Sequence, residues 1–139
     1  MPSDFLFVYG TLRRSFPLHR ILASASAKYI GNGHIRGRLY NLGPYPGVYQ
    51  PPRGVGHVVG EVYELLTPET QLKKLDHEED FKPETPKASL FIRRKTQVHL
   101  TGGRRLTAWA YFLPRKPLHS TRIPHGDYKK LAAPARFRR

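Results

Sequence analysis

The sequence predicts an α+β protein, a small mixed β-barrel with short helices. Three features point there. Phe5-Leu6-Phe7-Val8 is a short apolar run of aromatic and branched residues, the composition of a strand buried on both faces. Residues 89–100 and 106–112 alternate in polarity about a Gly102-Gly103 pair, which is the pattern of a β-hairpin. Only two short stretches, residues 18–25 and those after Thr67, carry helical spacing. This sum suits a barrel better than a parallel α/β sheet.

After the first strand, Tyr9-Gly10-Thr11-Leu12 breaks the run. Gly10 has no Cβ, so the backbone can turn there and another group can approach closely. A turn of this kind can aim successive backbone N–H groups at one point, a concavity suited to a carboxylate. Arg13 and Arg14 add positive charge. Leu18, Ile21, Leu22 and Ala25 then mark one face of a short helix, with Pro17 near its start.

Gly31 and Gly33 are expected to break the chain before a strand over residues 35–41, whose most apolar pair is Leu39-Tyr40. Gly43-Pro44-Tyr45-Pro46-Gly47-Val48-Tyr49 is expected to be a stiff aromatic loop without regular structure, and residues 50–56 a second loop. Residues 58–65 form a strand with Val58 and Val62 on one face and Val59, Glu61 and Tyr63 on the other. Thr67 can cap a helix that starts at Pro68 and turns Leu72 and Leu75 to the core.

Asp76, Glu78, Glu79 and Asp80 make an acidic cluster at the end of that helix. At about 100° per residue, Glu79 falls between Leu72 and Leu75, while His77 and Glu78 point away and Asp80 lies at the margin. One carboxylate is therefore aimed inward and its neighbours are expected to face water. Burial raises the proton affinity of such a carboxylate, which suits it to moving protons at neutral pH. Residues 82–87 read as a loop, and the chain beyond Pro114 as irregular until Gly126-Asp127-Tyr128. Residues 1–128 form the expected domain, and 129–139 a basic, mobile tail.

Composition narrows the function. With 139 residues the chain can bury a real core in one domain. It has no cysteine, which excludes disulfides, a thiol nucleophile and thiolate metal sites. Its seven histidines are scattered without the i, i+4 helical spacing of a zinc site, and the acidic cluster lacks a calcium-loop pattern. No long apolar window and no signal-peptide pattern occur, so the expectation is a soluble cytoplasmic protein, not a membrane one. The net charge of +14 raises a rival reading, a nucleic-acid-binding module with bases stacked on Phe91 and Trp109, although no RNA- or DNA-binding signature accompanies it.

Five elements in order carry a resemblance: Val8-Tyr9-Gly10-Thr11-Leu12-Arg13; Leu39-Tyr40-Asn41-Leu42-Gly43 with Tyr45-Pro46-Gly47-Val48; Gly60-Glu61-Val62-Tyr63; Leu75-Asp76-x-x-Glu79; and Gly126-Asp127-Tyr128. Over residues 5–128 the chain resembles the gamma-glutamylcyclotransferase-like family, most closely its gamma-glutamylamine cyclotransferase branch. The resemblance implies that family's barrel and a reaction in which a γ-glutamyl amine or γ-glutamyl amino acid cyclises to 5-oxoproline, releasing the amine. It places such an enzyme, of lyase or acyltransferase type, in glutathione or γ-glutamyl amine metabolism. Glu79 would be the general acid/base. Tyr9, Gly10, Thr11 and Leu12 would hold the substrate's α-amino acid end, with Arg13, Tyr45 and Phe91 as candidate pocket residues. The resemblance implies no metal and no cofactor, a small-molecule γ-glutamyl partner, and a monomer or homodimer. A non-catalytic γ-glutamyl binder is the alternative within the family. The chain departs from the family at Asp80 and Phe81, where glycine and tyrosine are common, and at Phe91, where tyrosine is frequent.

Overall fold

A computed structural model describes residues 4–10, 27–43, 45–54, 56–79, 81 and 90–128. The apolar run forms β1 (Asp4–Val8), and Leu6, Phe7 and Val8 are buried. It lies between β5 (His57–Leu65), to which it is antiparallel, and β7 (Arg105–Phe112), which it meets in parallel at Leu6↔Trp109. With β2 (Ala27–Arg36) and β6 (Ile92–Leu100) these strands close a barrel in the order β1-β5-β2-β6-β7. The expected hairpin is β6–β7, with Gly102 and Gly103 at positive φ in its turn. Closure leaves no free sheet edge and buries Phe7, Ile35, Val58, Val62, Val98, Ala110 and Phe112 inside.

Beside the barrel, β3 (Arg38–Asn41) lies between β4 (Pro46–Tyr49) and β8 (Thr121–Ile123) in a small antiparallel sheet. Leu113 N–H donates to Val48 O (2.7 Å) and ties this sheet to the end of β7. The helix α1 (Pro68–Glu78) covers the outside of the barrel. Leu72 and Leu75 join Leu6, Val8, Tyr63, Leu65, Tyr111 and Leu113 in a second apolar cluster. Burying each leucine contributes about 1.5–3 kcal/mol, ahead of anything the short helix gains on its own.

Four expectations need correction. Gly31 and Gly33 do not break the chain: β2 runs through both, with an irregularity between Tyr29 and Gly31, and Gly33 sits where a Cβ would lie 2.7 Å from His99 O on β6. The break comes at Gly37 instead. The stiff aromatic loop contains β4, because Pro46 stands first in that strand, a position proline tolerates. The stretch after Pro114 contains β8, three residues whose pairing with β3 supplies what their sequence lacks. Thr67 makes no side-chain cap; Gln71 Oε1 accepts from Thr67 N–H (2.9 Å) and closes the helix start from the other side. The helix read at residues 18–25, the loop at 82–87 and the tail lie outside the described residues.

Gly126, from the Gly-Asp-aromatic element, hooks the end of the small sheet onto the barrel. Its N–H donates to Ile123 O (3.1 Å) and its carbonyl accepts from Val59 N–H (2.8 Å). Its φ is +73°, and a Cβ there would overlap the His57 carbonyl oxygen. Gly126→Ala is therefore expected to lower stability by about 1–3 kcal/mol in chemical denaturation. Gly102→Ala is the control, since Gly102 shares a positive φ but has nothing within 4 Å of the added Cβ. It should cost less. Equal losses would show that the hook carries no weight beyond backbone strain.

Candidate active site

Tyr111 links the residues after β1 to the last turn of α1. Tyr9 and Gly10 are both buried directly after Val8. Gly10 is a place of close approach, as its sequence suggests: a Cβ would stand 2.7 Å from Pro46 Cγ, so only glycine lets β1 end against β4. The Tyr9 hydroxyl donates to Tyr111 O (2.7 Å), fixing the start of the turn to β7. Thr11, Leu12 and Arg13 lie outside the described residues. Tyr45 and Phe91 touch, with ring centroids 5.8 Å apart. Phe91 is buried, so it serves as packing and offers no ring face for stacking a base. Trp109 has Arg93 (4.4 Å) and Lys95 (5.0 Å) over its own ring.

Glu79 follows the last residue of α1 as its C-cap, and its N–H donates to Leu75 O (2.8 Å). Its side chain is half-buried. Burial pushes the Tyr9 phenol well above its usual range, and the Glu79 charge pushes it further, against a smaller opposing effect of the Val48 backbone. Tyr111 is raised as well, first by burial, then by its hydrogen bond to Asp76 and by the charges of Asp76 and Glu79. Both phenols, Tyr9 and Tyr111, are thus raised in part by the Glu79 charge.

Asp76 contradicts the expectation that Glu79's neighbours face water. It is 8% exposed. Its Oδ1 accepts from Tyr111 Oη (2.6 Å) and Arg93 Nε (2.7 Å), and its Oδ2 from Arg93 Nη2 (3.1 Å). The signal was present in the sequence: Asp76 follows Leu72 by four residues, about 40° around the helix, so it shares the inward face. Its partners Arg93 and Tyr111 had no signal, because strand residues read alone do not reveal which helix they meet.

Three of the histidines come together across β5, β2 and β6. His34 lies 4.6 Å from His57 and 5.1 Å from His99 between ring centroids. Burial and these two neighbours hold His34 below the usual imidazole range. The rings stack and tilt against each other, and among the described residues no group of three or more side chains is arranged to hold a metal ion. Nor is any helix among them long and apolar enough to cross a membrane.

The chain belongs to the gamma-glutamyl cyclotransferase, AIG2-like family, whose model matches residues 6–130. It is 34% identical over 133 residues to the gamma-glutamylaminecyclotransferase of Bos taurus, covering 88% of this chain and 73% of that one. It is also 34% identical over 131 residues to the gamma-L-glutamyl-butirosin B gamma-glutamyl cyclotransferase of Niallia circulans, covering 94% and 77%. Among solved structures, an AIG2-like protein from Mus musculus superposes with a TM-score of 0.67 at 28% identity, over 91% of this chain and 95% of that one. The mixed barrel is thus the family's fold.

Two of the raised phenols, Tyr9 and Tyr111, set an alkaline limit on stability. Both bind their protons more tightly in the folded chain than in the unfolded one, where tyrosine titrates near pH 10. Their contribution is complete below about pH 10 and is lost as pH rises beyond it. Thermal melts should fall steeply above that pH, and less steeply in Tyr9→Phe. The tyrosinate absorbance of Tyr9 and Tyr111 should appear only with unfolding. Ionisation of all eight tyrosines near pH 10 in an intact fold would contradict this.

Proposed function

We propose that the protein converts a γ-glutamyl amine or γ-glutamyl amino acid to 5-oxoproline and the free amine, with Glu79 as general acid/base. Family membership supports gamma-glutamyl cyclotransferase activity. The names of the cattle and Niallia relatives, both cyclotransferases, support a γ-glutamyl group attached through nitrogen as the substrate class.

One chain of contacts supports the role of Glu79: Tyr9, one residue before Gly10, donates to the Tyr111 carbonyl, and the Tyr111 hydroxyl donates to Asp76, one helical turn before Glu79, so a small molecule held at the Gly10 turn would lie near that carboxylate. The chemistry follows from that adjacency. The substrate's α-ammonium is not a nucleophile until it loses a proton, and Glu79 takes it. The neutral amine attacks the γ-carbonyl carbon, a new C–N bond closes the five-membered ring, the carbonyl electrons move to oxygen, and the ring nitrogen sheds its second proton to water. As the carbonyl re-forms, the bond to the departing nitrogen breaks, and that nitrogen receives the proton from Glu79. Holding the γ-glutamyl chain folded supplies proximity, worth a large share of such a barrier. Backbone N–H groups at the turn serve either the α-carboxylate or the developing oxyanion. The metabolic place is the release of amines from γ-glutamyl conjugates.

Glu79→Gln tests this. The amide nearly preserves size and hydrogen bonding but cannot accept the ammonium proton. Release of 5-oxoproline from a panel of γ-glutamyl amines should fall about 10²–10⁴-fold in kcat, with KM little changed. Glu69→Gln, exposed in the first turn of the same helix, should behave as the parent. Full activity of Glu79→Gln would overturn the assignment of the base. A parent protein that binds the panel without forming 5-oxoproline would make it a binder only.

A further inference from the structure

We propose that Asp76 is the positioning residue of this site: its contacts with Arg93 and Tyr111 anchor the last turn of α1 on β6 and β7 and so fix where the Glu79 carboxylate stands. The inference rests on the reading of Glu79 as the general acid/base.

Four contacts converge on one residue. The guanidinium of Arg93 grips both Asp76 oxygens, through Nε at 2.7 Å and Nη2 at 3.1 Å, a two-point contact that fixes orientation as well as distance. The Tyr111 hydroxyl adds a third hydrogen bond at 2.6 Å. The backbone carbonyl of Asp76 accepts from Phe81 N–H (2.8 Å), so the chain leaving the helix is tied back to the same residue. Glu79 lies between residues 76 and 81, inside the segment these contacts close.

The partners are themselves held. Arg93 lies over the Trp109 ring at 4.4 Å and within 5.9 Å of Phe81, so its plane is fixed by aromatic faces. Tyr111 is 3% exposed, and its carbonyl is the acceptor for the Tyr9 hydroxyl. Through Tyr111, one strand residue touches both halves of the site: its backbone holds Tyr9, beside the Gly10 turn, and its hydroxyl holds Asp76, one helical turn before Glu79. Leu72 and Leu75 press the helix onto the barrel, but apolar contacts alone permit sliding and rotation that a two-point ion pair does not.

Both Asp76 oxygens are engaged by donors, so Asp76 acts through Glu79 and not on the substrate. Its removal should then disturb the rate and leave substrate affinity nearly alone. A displacement near 1 Å can cost about a hundredfold in rate.

The experiment measures 5-oxoproline release and its pH profile in Asp76→Asn, Arg93→Lys and Glu79→Gln, with a thermal melt for each. Asp76→Asn should lose about a hundredfold in kcat with KM within about threefold. Arg93→Lys keeps the charge but not the fork, and should lose about tenfold in the same way. In both, the acid limb of the kcat profile should move, because the surroundings of Glu79 change. A protein that is only destabilised loses active molecules without changing the shape of its profile. If Asp76→Asn does not fold, Arg93→Lys decides alone, since Arg93 reaches the surface. Parent-like kcat and profile in these variants, with Glu79→Gln inactive, would overturn the positioning role. An active Glu79→Gln would instead overturn the reading of the base on which this one stands.

Discussion

The grip of Arg93 and Tyr111 on Asp76 joins the three parts of the molecule that have to meet. The helix α1 is eleven residues long, too short to persist without tertiary support. Its leucines choose the face that meets the barrel, and Asp76 chooses the register. An ion pair removed from water is an uncertain source of net stability, because desolvation offsets much of the attraction. Removing one member of a buried pair, by contrast, costs about 3–5 kcal/mol, because the other charge is left uncompensated. Such a pair therefore acts mainly as a constraint: it penalises every arrangement of α1 other than the one observed. The barrel supplies the fixed frame for this, since β6 and β7, which carry Arg93 and Tyr111, are paired along their whole length.

The barrel also decides what can happen after β1. Val8 is the last residue of a strand paired on both sides, so the chain leaves the wall at a defined point and direction. Gly10 against Pro46 and Tyr9 on the Tyr111 carbonyl then hold the first two residues of the turn. On the proposed function, an anion held there would be met by backbone at one side and by the half-buried Glu79 carboxylate at the other. Separating the two duties suits a reaction whose nucleophile is part of the substrate. In the proposed reaction the protein folds the substrate and relays a proton to the departing nitrogen through Glu79.

Much of this was legible in the chain. The strands at Phe5–Val8, at Val58–Leu65 and on both sides of Gly102-Gly103 follow from apolar runs, alternation and a glycine pair, all of them local signals. The elements that were missed depend on partners distant in sequence. β4 begins at a proline and β8 has three residues, and both exist because β3 pairs with them. β2 keeps two glycines that a local reading takes for breaks, because close packing on β6 needs one of them. Asp76 was read as part of a solvated acidic cluster for a related reason: the composition of the cluster hid the helical phase. Its burial is explained by Arg93, seventeen residues later on a strand whose facing no local pattern fixes.

On the proposed function, the Gly10 turn and the end of α1 form two walls of one site. A crystal structure with 5-oxoproline bound tests it most directly. The account predicts the product's carboxylate or ring carbonyl on the backbone N–H groups at the Gly10 turn, with its ring nitrogen within hydrogen-bond reach of Glu79. Product bound on another face, for example over the His34, His57 and His99 rings, with Glu79 untouched, would contradict it.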